Sequence, residues 1–189
     1  MAGTNLWKIG TRGSPLALAQ AGWVRDGLAE KFPGTAFELC VIKTLGDKQG
    51  AVAAEQMLSK GIFTREIEEA LLDGKIDVAV HSMKDLPVDL PAGLTLGPTP
   101  RREDPRDALV SLFKRPLAQL KKGAKVGTGS SRRKLQILLQ RPDLDVTAIR
   151  GNVQTRLKRV VPGDLDAVVL AQSGLCRLGL QEKIAEVFE

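Results

Sequence analysis

The sequence predicts an α/β fold of two similar lobes, each built on a mainly parallel sheet covered by helices. Three observations carry that expectation. Short β-rich runs alternate with helical runs along the chain. The stretch Gly97-Pro98-Thr99-Pro100 interrupts the alternation and divides it into two series. The two series also echo each other. Ile9-Gly10-Thr11-Arg12-Gly13-Ser14 leads into a helix, and so does Val126-Gly127-Thr128-Gly129-Ser130. Asp77-Val78-Ala79-Val80 and Asp166-Ala167-Val168-Val169 each precede a polar stretch. The lobes are therefore expected at 1–98 and 107–189, joined by a hinge linker at 99–106.

Each element has a local reason. Leu6 to Thr11 reads as the first strand. Ser14-Pro15 then opens a helix, with serine placed to cap free N–H groups and proline tolerated at the first helical position. Leu16, Ala19, Trp23 and Val24 are expected to form its apolar face. Phe37 to Lys43 is a second strand. Gly61 to Leu72 reads as a helix with Phe63, Ile67, Ala70 and Leu71 on one side, and Ile76 to Val80 as a buried strand. Strands separated by helices in this way pair in parallel. In the second series Lys125 to Thr128, Asp145 to Ile149 and Asp166 to Leu170 read as strands. Ser131 to Gln140 and Asn152 to Arg159 read as the helices between them, with helical segments following to the end.

The chain has 189 residues, 43% of them hydrophobic, enough for one large core or two small ones. It contains no run of eighteen apolar residues, so no membrane helix is expected. Met1 to Lys8 does not have the basic-then-apolar build of a signal peptide. Cys40 and Cys176 sit in apolar stretches without C-x-x-C spacing and read as reduced core thiols of a cytoplasmic protein. A single histidine rules out a His-pair metal site. The net charge of +6 points to an anionic partner. Nucleic acid is one candidate, although aromatics make up only 4% and tyrosine is absent, which leaves few stacking platforms. A small polycarboxylate fits the charge equally well.

The residues that could carry chemistry sit at strand-to-helix turns. In open α/β sheets ligands bind at the carboxyl ends of the strands, so both glycine-rich turns are expected to face one cleft. Such turns also recur in α/β folds without a shared ligand, and the turns alone leave both readings open. Arginines strengthen the anion reading. Arg12 precedes the first helix, Arg132 and Arg133 begin the Ser131 helix, Arg150 precedes Asn152, and Arg156 lies one turn further on. Helix N-termini offer free N–H groups, and a guanidinium fork matches a carboxylate bidentately. Val80-His81-Ser82-Met83-Lys84-Asp85 follows a buried strand directly. A carboxylate there could offset a cationic intermediate or move protons.

Taken together, the motifs resemble the porphobilinogen deaminase family along essentially the whole chain. The matching segments are Thr11 to Leu18 (TRGSPLAL), Lys60 to Glu68 (KGIFTREIE), Asp77 to Pro87 (DVAVHSMKDLP) and Arg102 to Ala108 (REDPRDA). Gly127 to Arg133 (GTGSSRR), Arg141 to Leu144 (RPDL) and Ile149 to Leu157 (IRGNVQTRL) complete the set. The resemblance implies two lobes like those of a type II periplasmic binding protein. It also implies polymerisation of four porphobilinogen molecules, with loss of ammonia, into hydroxymethylbilane on a covalent dipyrromethane cofactor. The implied setting is tetrapyrrole biosynthesis in the cytoplasm by a monomer, with no nucleic acid and no membrane as partner.

By the same resemblance Asp85 is the catalytic carboxylate. Arg12, Lys84, Arg132, Arg133, Arg150 and Arg156 would hold acetate and propionate groups, with Ser14, Thr128, Ser130 and Ser131 adding hydrogen bonds. Phe63 would lie near the incoming ring, and Lys60 near a lid formed by Asp47 to Ser59. The chain departs from the family in three ways. The third α+β domain, with its cofactor-attaching cysteine, is expected to be absent, together with the segment that returns to the first lobe. Gly129 stands where serine is common, and Leu45 where a polar residue is usual. A chain of this extent is expected not to turn over alone and to need a third domain in cis or in trans. The alternative is a stand-alone polycarboxylate-binding module.

Overall fold

The computed structural model describes residues 5–45 and 63–189. The expected lid over 47–59 and Lys60 lie outside the described residues. The chain divides into two compact units, Met1–Thr99 and Pro100–Glu189.

Unit 1 holds a parallel sheet of β1 (Asn5–Thr11), β2 (Thr35–Val41) and β3 (Val78–Ala79), in the order β2-β1-β3. Helix α1 (Pro15–Lys31) links β1 to β2, and α2 (Arg65–Leu72) precedes β3. Ser14 caps α1 as the sequence indicates: its hydroxyl accepts from the Ala17 N–H, and Pro15 takes the first turn. The expected apolar face of α1 does not form as read. Ala21 is its one buried residue among those described, and Trp23 is 52% exposed. The helix at Gly61 begins, within the described residues, at Arg65 after buried Thr64. Its Ile67 and Ala70 pack with Ile76.

Unit 2 holds a five-stranded sheet in the order β6-β5-β7-β4-β8, from β4 (Asp107–Ser111), β5 (Lys125–Thr128), β6 (Asp145–Ala148), β7 (Ala167–Ala171) and β8 (Glu186–Val187). Strands β5, β6 and β7 pair in parallel, whereas β4 runs antiparallel to β7 and β8 to β4. Neither β4 nor β8 is anticipated in the sequence reading. Helices α3 (Ser131–Gln140), α4 (Val153–Leu157) and α5 (Gln172–Arg177) follow β5, β6 and β7 in turn. Side chains alternate across the sheet. Ala167 and Val169 face one core with Leu109, Val126, Ile137 and Val146, while Val168 and Leu170 face the other with Val110, Ile149, Leu165 and Leu175. Each fully buried Leu, Ile or Val contributes about 1.5–3 kcal/mol. Gly127 faces the second of these cores, where a Cβ would stand 2.8 Å from Leu165 and 2.9 Å from Ile149 and would have to displace both.

Cys40 is half-buried and Cys176 is exposed, so the core placement expected of both fails at Cys176. It sits on the outward side of α5, next to buried Leu175. Among the described residues no helix is long and apolar enough to cross a membrane, and no group of His, Cys, Asp and Glu could hold a metal ion.

Candidate functional site

In unit 1 the candidate residues gather at the carboxyl ends of β1 and β3. Gly10 pairs with Ala79, and the Val80 N–H donates to Gly10 O at 3.0 Å, so the chain leaves the sheet with Arg12 and His81 side by side. The Arg12 guanidinium lies over the Phe63 ring, 4.0 Å from its centroid, which joins two of the expected residues in a cation–π contact. Beyond His81 the chain makes one 3-10 turn, Met83–Asp85, closed by the Asp85 N–H on Ser82 O at 2.9 Å. Lys84 is exposed on that turn and Asp85 is half-buried. Ser82 Oγ donates to Gln20 Oε1 at 2.9 Å and ties the turn to α1. His81 is pushed below its ordinary pKa by burial, against the opposing fields of Glu68 and Asp85 and with a smaller push from Arg12.

In unit 2 the carboxyl ends of β5, β6 and β7 carry the anion-binding candidates. Ser130 caps α3, its Oγ accepting from the Arg133 N–H at 3.4 Å. Thr128 is buried, and its Oγ1 accepts from the Ser130 N–H at 3.2 Å, so its hydroxyl shapes the turn itself. Ser131 is exposed in the first turn of α3. Arg132 and Arg133 share one acid: their Nη2 atoms donate to Asp107 Oδ2 at 2.8 Å and Oδ1 at 2.7 Å. Arg132 also reaches Gln136 and stays 61% exposed, whereas Arg133 is 17% exposed and its Nε is buried without a partner. Burial opposes the Asp107 charge, but hydrogen bonds from Arg133 and Arg132 outweigh it and hold the carboxyl below the usual range.

Arg156 completes the group. Its Nε donates to Gly151 O at 2.7 Å, and its guanidinium lies 3.7 Å from where a Cβ on Gly129 would stand. That Cβ would also meet Ile149 O at 2.8 Å, so glycine keeps the turn and the guanidinium close. Burial and then the neighbouring Arg133 charge pull the Arg156 pKa below its ordinary value. Among the described residues no carboxylate pairs with Arg156. Guanidinium groups placed in this way are donors of the kind that pair with a carboxylate. Arg150 is exposed at the end of β6. An open pocket of about 470 Å³ is lined by residues that include Asp107, Arg132, Arg133, Ile137, Val169 and Phe188.

The structure thus groups Arg12, Phe63, Lys84 and Asp85 in unit 1, and Ser130, Arg132, Arg133 and Arg156 in unit 2. Two polar residues escaped the sequence reading. Gln20 lies among apolar residues of α1, and its partner Ser82 is 62 positions away. Asp107 opens β4, and its register with Ala171 sets it at the carboxyl end of β7. An unrecognised antiparallel strand hid that position.

Residues 7–189 match the family model described as porphobilinogen deaminase, dipyromethane cofactor binding domain. The chain belongs to the porphobilinogen deaminase family. Porphobilinogen deaminases of Geobacter metallireducens and Syntrophotalea carbinolica are 51% and 54% identical over 179 residues, 95% of this chain. The chain spans only 56% and 57% of their lengths. Among solved structures the methionine-binding protein MetQ matches with a TM-score of 0.50 at 15% identity, over 98% of this chain and 78% of that one. At that identity the likeness shows the fold alone: α/β units of the periplasmic-binding-protein kind, with mainly parallel sheets. Dipyrromethane, the cofactor named by the porphobilinogen deaminase family model, bears several carboxylates. The unpartnered Arg133 Nε and Arg156, which pairs with no acid among the described residues, are donors of the type such a group requires.

Proposed function

We propose that this chain carries the catalytic carboxylate and the carboxylate-holding arginines of a porphobilinogen deaminase, which joins porphobilinogen units with release of ammonia to give hydroxymethylbilane. The observation that carries the reading is Arg133 beside Arg156, which pairs with no acid among the described residues. Such a pair is costly unless an anion arrives. In this reading Arg132, Arg133, Arg150 and Arg156 hold acetate and propionate side chains, with Ser130 and Ser131 at the N-terminus of α3 adding N–H and hydroxyl donors. In unit 1 Arg12, Ser14 and Lys84 serve carboxylates and Phe63 packs near the incoming ring, in unit 2 Thr128 adds a hydroxyl, and Lys60 belongs to the family's set.

Asp85 does the electrostatic work. When the aminomethyl C–N bond breaks, its electron pair leaves with ammonia and positive charge spreads over the pyrrole. A carboxylate beside the ring N–H stabilises that charge where it develops. The same carboxylate can hold the proton given up as the next bond forms. Dipyrromethane, when bound, supplies the pyrrole carbon from which the chain grows, and Arg133 and Arg156 would hold its carboxylates. We take the protein to work in the cytoplasm as a monomer, with the family's remaining length supplied in cis or in trans.

Calorimetry with porphobilinogen tests the reading. Binding by this chain that is lost in Arg133→Leu supports it, and no binding at all contradicts it. A polycarboxylate-binding module without turnover rests on the same arginines. An ammonia assay after the remaining family length is supplied separates the two.

A further inference from the structure

We propose that Asp107 is a positioning residue for the anion site: it tethers Arg132 and Arg133 so that Arg133 stands beside Arg156 and the two guanidiniums form one carboxylate receptor. This rests on the reading of unit 2 as a carboxylate site and names the residue that builds it. Two like charges on flexible stems separate unless something holds them. The Ser130 cap fixes the Arg133 backbone but not its guanidinium. The only acid bonded to that guanidinium among the described residues is Asp107, at 2.7 Å. Asp107 is itself immobile: its side chain is 11% exposed, and it begins a strand paired with β7 from Asp107↔Ala171 onward. Its two oxygens are divided between two arginines, and each is tethered through a single Nη2. The tether therefore leaves Arg133 Nε free of any partner, although buried. The net charge of Arg132, Arg133, Arg156 and Asp107 stays at +2, so the group still attracts a dianion.

A mere counter-charge would act in the opposite sense, because removing it would raise the positive field and tighten anion binding. The experiment uses that difference. Calorimetry on this chain takes two probes, porphobilinogen and the pyrrole-free tricarballylate. Asp107→Asn keeps the shape and is expected to weaken tricarballylate binding roughly tenfold or more, with a thermal melt that still shows a folded unit. Asp107→Glu should recover part of the loss, because a carboxylate still reaches the arginines from a shifted position. In an Arg133→Gln background, Asp107→Asn should cost clearly less than in the parent, since only Arg132 is then left for the tether to place. Unchanged or tighter binding in Asp107→Asn overturns the proposal, and so do fully additive losses. Should Asp107→Asn fail to fold, Asp107→Glu decides: reduced affinity supports the tether and parental affinity overturns it. The porphobilinogen arm keeps the two claims apart. A parent chain that binds tricarballylate but not porphobilinogen removes the proposed function and leaves the role of Asp107 standing, whereas one that binds neither removes both.

Discussion

Replacing Arg156 by methionine should separate ligand binding from stability. Arg156 is disfavoured in its charged form by burial and by Arg133. Neighbouring like charges repel by about 1–4 kcal/mol between the limits of bulk water and a partly buried surface site, and the substitution relieves a repulsion of that order. It also deletes the hydrogen bond from Nε to Gly151 O, a loss of about 0.5–1.5 kcal/mol. Methionine keeps an unbranched apolar stem of similar reach, so packing changes little. The opposing effects leave stability no more than about 1 kcal/mol below the parent, or roughly 4–8 °C in Tm for a unit of this size. Binding has no such compensation. The charge-assisted hydrogen bonds to a carboxylate contribute about 1.5–3 kcal/mol, so porphobilinogen affinity should fall roughly tenfold to 150-fold. Calorimetry and thermal melts on the same preparation read both quantities. A variant that melts far below the parent yet binds porphobilinogen undiminished would refute the reasoning and make Arg156 a structural arginine.

Further outcomes follow from the same geometry. Asp107 has a folded-state pKa held below its ordinary 3.8. Its contribution to stability is therefore complete above pH 3.8 and lost as pH falls through the folded value, so the gap in melting temperature between parent and Asp107→Asn should close in acid. His81, the one histidine of the chain, has a folded pKa below 6.5, lowered by burial. The stability tied to its neutral form is fully present above pH 6.5 and lost as pH falls through the folded value. NMR titration of its ring should give a midpoint under 6.5, and His81→Gln should flatten that part of the stability profile. A midpoint at or above 6.5 would show that Glu68 and Asp85 outweigh burial. A preparation of these 189 residues alone should have the mass of the sequence, because the family resemblance matches neither Cys40 nor Cys176 to the cofactor-attaching cysteine. A stable pyrrole adduct on either cysteine would contradict this.

Much of unit 2 was legible because local signals and packing agree there. Ser130 both caps α3 and follows a strand, and the boundaries expected for β5 and α3 match those observed. Strand β8 is only two residues long, and β4 begins with a charged residue, so neither carries a period that a sequence reading can detect. In α1, apolar residues surround the helix: Leu16, Leu18, Ala21 and Trp23 do not share one face. Spacing therefore could not single out Ala21 as the buried position or foresee the exposure of Trp23. The arginines were visible from their positions at strand-to-helix turns, and Asp85 from the motif around it. Their division of labour was not, because Asp107 lies 25 and 26 residues before the arginines it holds. Only the antiparallel pairing of β4 with β7 brings it to that end of the sheet.

The role of Asp85 is the centre of the functional reading, and one measurement reaches it most directly. Porphobilinogen consumption is followed with the remaining family length supplied, for the parent and for Asp85→Asn, beside thermal melts of both. Asparagine keeps the shape of the side chain and the 3-10 turn that carries it, but removes the charge. Loss of one such electrostatic stabiliser costs about 2.7–4 kcal/mol in the transition state. Turnover should fall roughly a hundredfold to a thousandfold while the melts coincide. Turnover in Asp85→Asn within a few-fold of the parent would contradict the assignment and pass the catalytic role to another group.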